Sequence, residues 1–193
     1  RSDVLDSALL RPGRFDRIVN FELPNLEERK DIINLYYDKY KVSDKLDRNK
    51  LVEDLSKQTF SFNGAQIQNL FNESSIRAVR NDRRKIEYQD FEESIEYVLL
   101  GNKKDGLNDK EKNIVSYHES GHALLSYILE NVPSPTKVSI IPRTKGALGF
   151  SQSIPDYEKK LYTDIELKEQ IMVLMAGRVT EEIIFGSVTN GAS

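Results

Sequence analysis

The only two histidines of the chain stand four residues apart in the string His118-Glu119-Ser120-Gly121-His122. On a helix, positions i and i+4 share a face, so both imidazoles point at one spot. Two imidazoles so placed are a ligand pair for zinc, and Glu119 beside them can take a proton from a metal-bound water. The chemistry expected is hydrolysis, with His118 and His122 as metal ligands and Glu119 as general base. The plainer alternative is a pair of packed core histidines, which would still need partners for their polar atoms.

The element that must position them reads as one long helix over 113–131, inside a helical pattern that starts at 109. Ile114, Val115, Tyr117, Leu124, Tyr127 and Ile128 are apolar, and no proline interrupts the run. Apolar residues nearly all round such a helix predict burial. Asn108 with Glu111 forms a capping-box pattern at its start, and Pro133 and Pro135 mark its end.

Composition sets the frame. A chain of 193 residues makes one large or two small domains. Net charge is −3 with both signs interspersed, and the absence of a basic stripe argues against nucleic acid as partner. There is no cysteine, hence no disulfide and no thiolate metal site. No apolar run reaches the roughly 20 residues of a membrane span, and no signal peptide is visible.

The glycine- and lysine-bearing stretch 101–106 divides the chain. Before it come the loop 9–17, an alternating apolar-polar segment 18–23 that predicts a half-buried strand, and helical patterns at 26–40, 51–59, 63–81 and 88–100. After it, 109–131 is helical, 137–141 and 147–154 predict a short β region, and a last helix starts near Thr163. Thr163 is an N-cap with Glu166 in the capping-box position. This helix runs towards Phe185, with Gly177 as a possible division and Gly186 as the stop. The fold class expected is mostly α with a short β region.

Three further constellations carry potential chemistry. Arg11 and Arg14 flank Pro12-Gly13 on a constrained turn, where guanidinium forks can reach a phosphate. An arginine finger works this way; the alternative is a surface loop paired with Asp3, Asp6 or Asp16. Gly64 and Ala65 open an amphipathic helix and permit close approach of a ligand or backbone; the alternative is a simple first turn. Glu181-Glu182 offers either a third zinc ligand or a carboxylate that orients a histidine, against a solvated helix face.

Taken together and in order, these pieces resemble the FtsH family of membrane-anchored AAA+ zinc proteases. Leu5 to Arg17 looks like the end of that family's second region of homology, and Gly64-Ala65 sits where the family opens its lid helix. His118 to Ala123 matches the protease motif. Lys137 to Arg143, Leu148-Gly149-Phe150, Leu161-Tyr162-Thr163, and Ala176-Gly177-Arg178 with Glu181-Glu182 continue the match, so that the resemblance covers essentially the whole chain. The stretch Gly149-Phe150-Ser151-Gln152 looks most like the mitochondrial members.

The resemblance implies the end of an AAA+ α/β subdomain at 1–24 with its last strand, an AAA+ helical lid at 25–101, a linker at 102–108, and a mainly helical, zincin-like protease domain at 109–193. It implies zinc on His118 and His122, Glu119 as base, Glu181 as support behind a ligand, and Arg11 and Arg14 as fingers for the ATP site of a neighbouring subunit. It implies ATP and magnesium in the full-length protein, a homo- or hetero-hexamer, and unfolded or membrane protein substrates. It implies a membrane anchor in the mitochondrial inner membrane, the bacterial cytoplasmic membrane or another organelle of endosymbiotic origin. The family's phosphate-binding loop and magnesium-coordinating acid would precede Arg1, so these residues alone are expected not to hydrolyse ATP. The family's third zinc ligand, an aspartate, would follow Ser193. Ser7 stands where the family commonly has proline. The competing reading is a proteolytically inactive AAA+ unfoldase or assembly scaffold; retention of both histidines and Glu119 argues against it.

Overall fold

The computed structural model describes residues 21–155, 159 and 161–190, together with Asp6, Leu9, Gly13, Phe15 and Val19. Arg11 and Arg14, and with them the arginine-finger expectation, lie outside the described residues.

The chain is mostly helical, with one two-stranded sheet among the described residues. Helix α1 (Leu26–Tyr37) is started by Asn25, whose side chain accepts from the Glu28 N–H while Glu28 reaches back to the Asn25 N–H. Asp47 caps α2 (Arg48–Gln58), and Asn63 with Gln66 closes the same reciprocal box on α3 (Gly64–Arg80). Helix α4 (Tyr88–Leu100) ends at Gly101, whose φ of 81° suits a residue without Cβ.

These four helices enclose one core of Ile33, Leu55, Phe62, Ile67, Leu70, Phe71, Ile86 and Phe91. The Phe71 ring meets Phe91 edge-on at 5.1 Å and leans on Tyr36 and Tyr40. Buried Arg29 adds a polar tie: its Nε donates to the Ser56 carbonyl at 2.9 Å and Nη1 to the Pro24 carbonyl at 2.8 Å. The guanidinium thereby joins α1 to the end of α2.

The second half pairs α5 (Asp109–Ile128) with α6 (Asp164–Phe185), and β1 (Pro135–Ser139) with β2 (Phe150–Ser153) in antiparallel register, Val138 opposite Ser151. Both strands pack on α5. The capping boxes Asn108–Glu111 and Thr163–Glu166 form as expected, and Gly186 closes α6 in the left-handed conformation.

The strand expected over 18–23 lies partly outside the described residues; of its described residues, Phe21 is 95 % exposed. Three expectations need correction. Helix α5 stops at Ile128 rather than 131, since Leu129 is extended ahead of Pro133. Burial all round α5 does not occur: α6 and the sheet cover part of it, leaving Tyr117, Leu124, Tyr127 and Ile128 exposed. Gly177 does not divide α6, which runs unbroken past it.

Candidate metal centre

The i, i+4 spacing on α5 brings the two imidazoles together as expected. Their Nε2 atoms stand 3.1 Å apart and the ring planes cross at 70°. Both rings face α6, and two glycines permit that approach. A methyl group at Gly177 would overlap the His118 imidazole, and one at Gly121 would overlap the Thr180 side chain and lie 2.9 Å from the Ala176 carbonyl oxygen. The glycine that looked like a helix breaker is where α6 makes room for a histidine ring.

The far side of each imidazole is fixed by a partner. His122 Nδ1 lies 2.7 Å from the Val173 carbonyl oxygen, which can only accept, so Nδ1 carries the proton. His118 Nδ1 lies 2.7 Å from Glu181 Oε1. Burial works against the charge on Glu181, which is only 2 % exposed, but the Thr189 N–H at 2.8 Å and His118 hold its carboxyl below the usual range. It is therefore an acceptor, and His118 donates from Nδ1. Burial pushes the His122 imidazole towards its neutral form, with the Val173 carbonyl opposing and His118 reinforcing that shift.

With each Nδ1 committed to its partner, the two rings turn their Nε2 atoms towards each other at 3.1 Å, a separation satisfied by a proton on one nitrogen or by a cation held between both. Imidazole nitrogen is an ordinary zinc ligand, and two such atoms converge here on one point. The residues present thus fit zinc as a pair of ligands. Among the described residues no third His, Cys, Asp or Glu joins them. Glu181 sits behind His118 on its Nδ1 side, in the position of a supporting carboxylate, while Glu182 is exposed.

Glu119 projects to the side of the pair into a cavity of about 230 Å³, lined by His118, Leu148, Gly149, Glu181 and Thr189. It is 7 % exposed, and burial raises its carboxyl above the ordinary value, with His118 pulling the other way. Gly149 forms one wall. A Cβ there would stand 2.8 Å from Glu119 Cγ and 2.9 Å from its Oε1. Val173, Thr189 and the role of Gly149 escaped sequence reasoning. The first two act through backbone atoms and the third through a missing side chain, none of which leaves a residue-type signal.

Gly64 and Ala65 open α3 beside an open cleft of about 1180 Å³, lined by Phe21, Leu23, Pro24, Asn25, Ile32 and Phe60 among others. A methyl at Gly64 would make only an ordinary 3.9 Å contact with Ile32, so packing within the chain does not demand glycine there. No helix of the described residues is long and apolar enough to cross a membrane.

Residues 105–193 match the model of peptidase family M41, and residues 50–93 that of an AAA+ lid domain. A protein of Lancefieldella parvula named ATP-dependent zinc metalloprotease FtsH is 42 % identical over 195 residues, covering 100 % of this chain and 30 % of its own length. Proteins of the same name from Clostridium perfringens (41 %, all of this chain, 27 % of theirs) and Syntrophobacter fumaroxidans (43 %, all of this chain, 29 % of theirs) are similar. The chain therefore spans about 30 % of the length of these relatives.

Proposed function

We propose, for a chain that belongs to the FtsH family of ATP-dependent zinc metalloproteases through its peptidase family M41 and AAA+ lid segments, that His118, Glu119 and His122 are the hydrolytic centre of an ATP-driven zinc endopeptidase. The observation that carries this reading is the convergence of two imidazole Nε2 atoms, 3.1 Å apart, beside the buried Glu119 carboxyl.

When bound, zinc supplies Lewis acidity towards water and the scissile carbonyl. His118 and His122 would hold it through Nε2. Glu181 and the Val173 carbonyl keep the protons on Nδ1, so that both Nε2 atoms remain donors of electron pairs. Glu119 takes the proton of the attacking water on a carboxylate oxygen and passes it to the leaving amine nitrogen. Burial raises its proton affinity, the direction that favours a carboxyl able both to take and to return a proton.

In the full-length protein, Arg11 and Arg14 act as fingers towards ATP and magnesium bound by the adjacent subunit of a hexamer. The Gly64-Ala65 turn borders the nucleotide on the lid side. Unfolded, misassembled and membrane proteins are the substrates, drawn in by an ATPase ring that is anchored in a membrane. These roles rest on the family resemblance.

Zinc titration of the full-length protein tests the reading. About one zinc per chain is expected, lost on His118→Ala or His122→Ala, because a catalytic site needs about three protein ligands. Undiminished binding by either variant would contradict it.

A further inference from the structure

The loop 143–149 touches two places at once. Its first residues are bonded to the end of α4. The backbone of Arg143 forms an isolated antiparallel β-bridge with that of Lys103, and its Nη2 pairs with Glu96, which also pairs with Lys137 of β1; Arg143 and Glu96 are both buried. The Thr144 N–H donates to the Asn102 carbonyl at 3.0 Å, and Thr144 Oγ1 accepts from the Asn102 N–H at 2.9 Å. Lys145 caps α4 twice, its N–H on the Leu100 carbonyl and its Nζ on the Val98 carbonyl at 2.6 Å. Those carbonyls lack helical partners, so a lysine there satisfies orphan acceptors at the negative end of the helix. A methyl at Gly101 would overlap the Thr144 side chain, which shows how close the two segments run.

The same loop ends on the hydrolytic centre. The Arg143 N–H donates to the Ala147 carbonyl at 2.7 Å and the Gly146 N–H to the Arg143 carbonyl at 3.1 Å, closing a tight turn. Two residues after Ala147, Gly149 lies against Glu119, and the Arg143 guanidinium also rests over the Phe150 ring. The segment between the halves of the chain is thus bonded to the protease side rather than free.

We propose that loop 143–149 is a strap by which the last turn of α4 sets the position of Glu119, with Glu96 and Arg143 as positioning residues. This rests on Glu119 being the base of the proposed peptidase. A movement of α4 relative to α5 then shifts the wall against Glu119, so the lid and the peptide-cleaving centre are mechanically joined within one subunit.

The test is Glu96→Ala in the full-length protein, assayed on a short end-quenched fluorogenic peptide that needs no unfolding. Glu96 lies on α4, 23 positions before Glu119 in the chain. Breaking the pair is expected to lower kcat about tenfold, as displacement of a catalytic group by a fraction of an ångström does, with KM and zinc content unchanged. Glu96→Gln, which keeps one acceptor for Arg143, recovers most of the lost kcat. An unchanged kcat in Glu96→Ala overturns the proposal, and so does a fall in kcat that tracks loss of zinc or that Glu96→Gln does not relieve. Failure of the peptidase reading itself would show separately, as wild-type protein without peptide cleavage.

Discussion

His118 and Glu181, 63 positions apart in the chain, meet at 2.7 Å through Nδ1 and Oε1. The other oxygen of Glu181 accepts the Thr189 N–H, so this carboxylate ties the turn after α6 to the histidine ring on α5. A buried carboxylate with two donors is both oriented and orienting. Replacing Glu181 with alanine is expected to weaken zinc binding of the full-length protein about 10–100-fold, the usual cost of losing a carboxylate behind a ligand. Glu181→Gln should lose less. Competition titration with a chromophoric chelator measures both.

Gly177 provides the space for that histidine. Gly177→Ala sets a methyl group into the His118 ring, and the ring cannot move away without leaving Glu181. A loss of about 1–3 kcal/mol in stability is expected from such overpacking, together with reduced zinc occupancy. Urea unfolding and metal analysis of the same preparation check both. By contrast, Gly64→Ala meets only an ordinary contact and should leave stability nearly unchanged.

The Glu96 pair makes stability depend on pH. Burial alone would raise the Glu96 carboxyl, but Lys137 and Arg143 outweigh it and hold the folded-state value below the ordinary one. A group depressed on folding contributes stability above its unfolded value, about 4.3, and loses that contribution as pH falls through the folded value. Urea midpoints of wild type and Glu96→Gln should therefore differ most near neutrality and converge in acid. A gap that widened on acidification would contradict the pairing.

The lid core depends on Phe71, which is fully buried and touches three aromatic rings. Phe71→Ala is expected to cost about 3–5 kcal/mol. Circular dichroism during urea unfolding reads it directly.

Local signals made most helices legible. The pairs Asn108–Glu111 and Thr163–Glu166 are short-range patterns, and the structure realises both. The histidine pair was legible for the same reason, since a spacing of four on a helix needs no tertiary knowledge. What stayed hidden depends on contacts distant in sequence. The Val173 carbonyl is the same atom type at every position, so nothing marks it as the partner of His122. Gly149 and Gly177 act by what they lack, and a glycine inside a helix reads as a break until the ring it accommodates is known. The apolar circumference of α5 exceeds what α6 and the sheet cover.

The central claim is that Glu119 moves the proton in zinc-dependent peptide hydrolysis. Glu119→Gln keeps the shape of the side chain beside Gly149 and removes its basicity. In the full-length protein, cleavage of a short fluorogenic peptide should fall about 10²–10⁴-fold, with zinc stoichiometry and ATP hydrolysis retained. Cleavage at the wild-type rate by that variant would contradict the account.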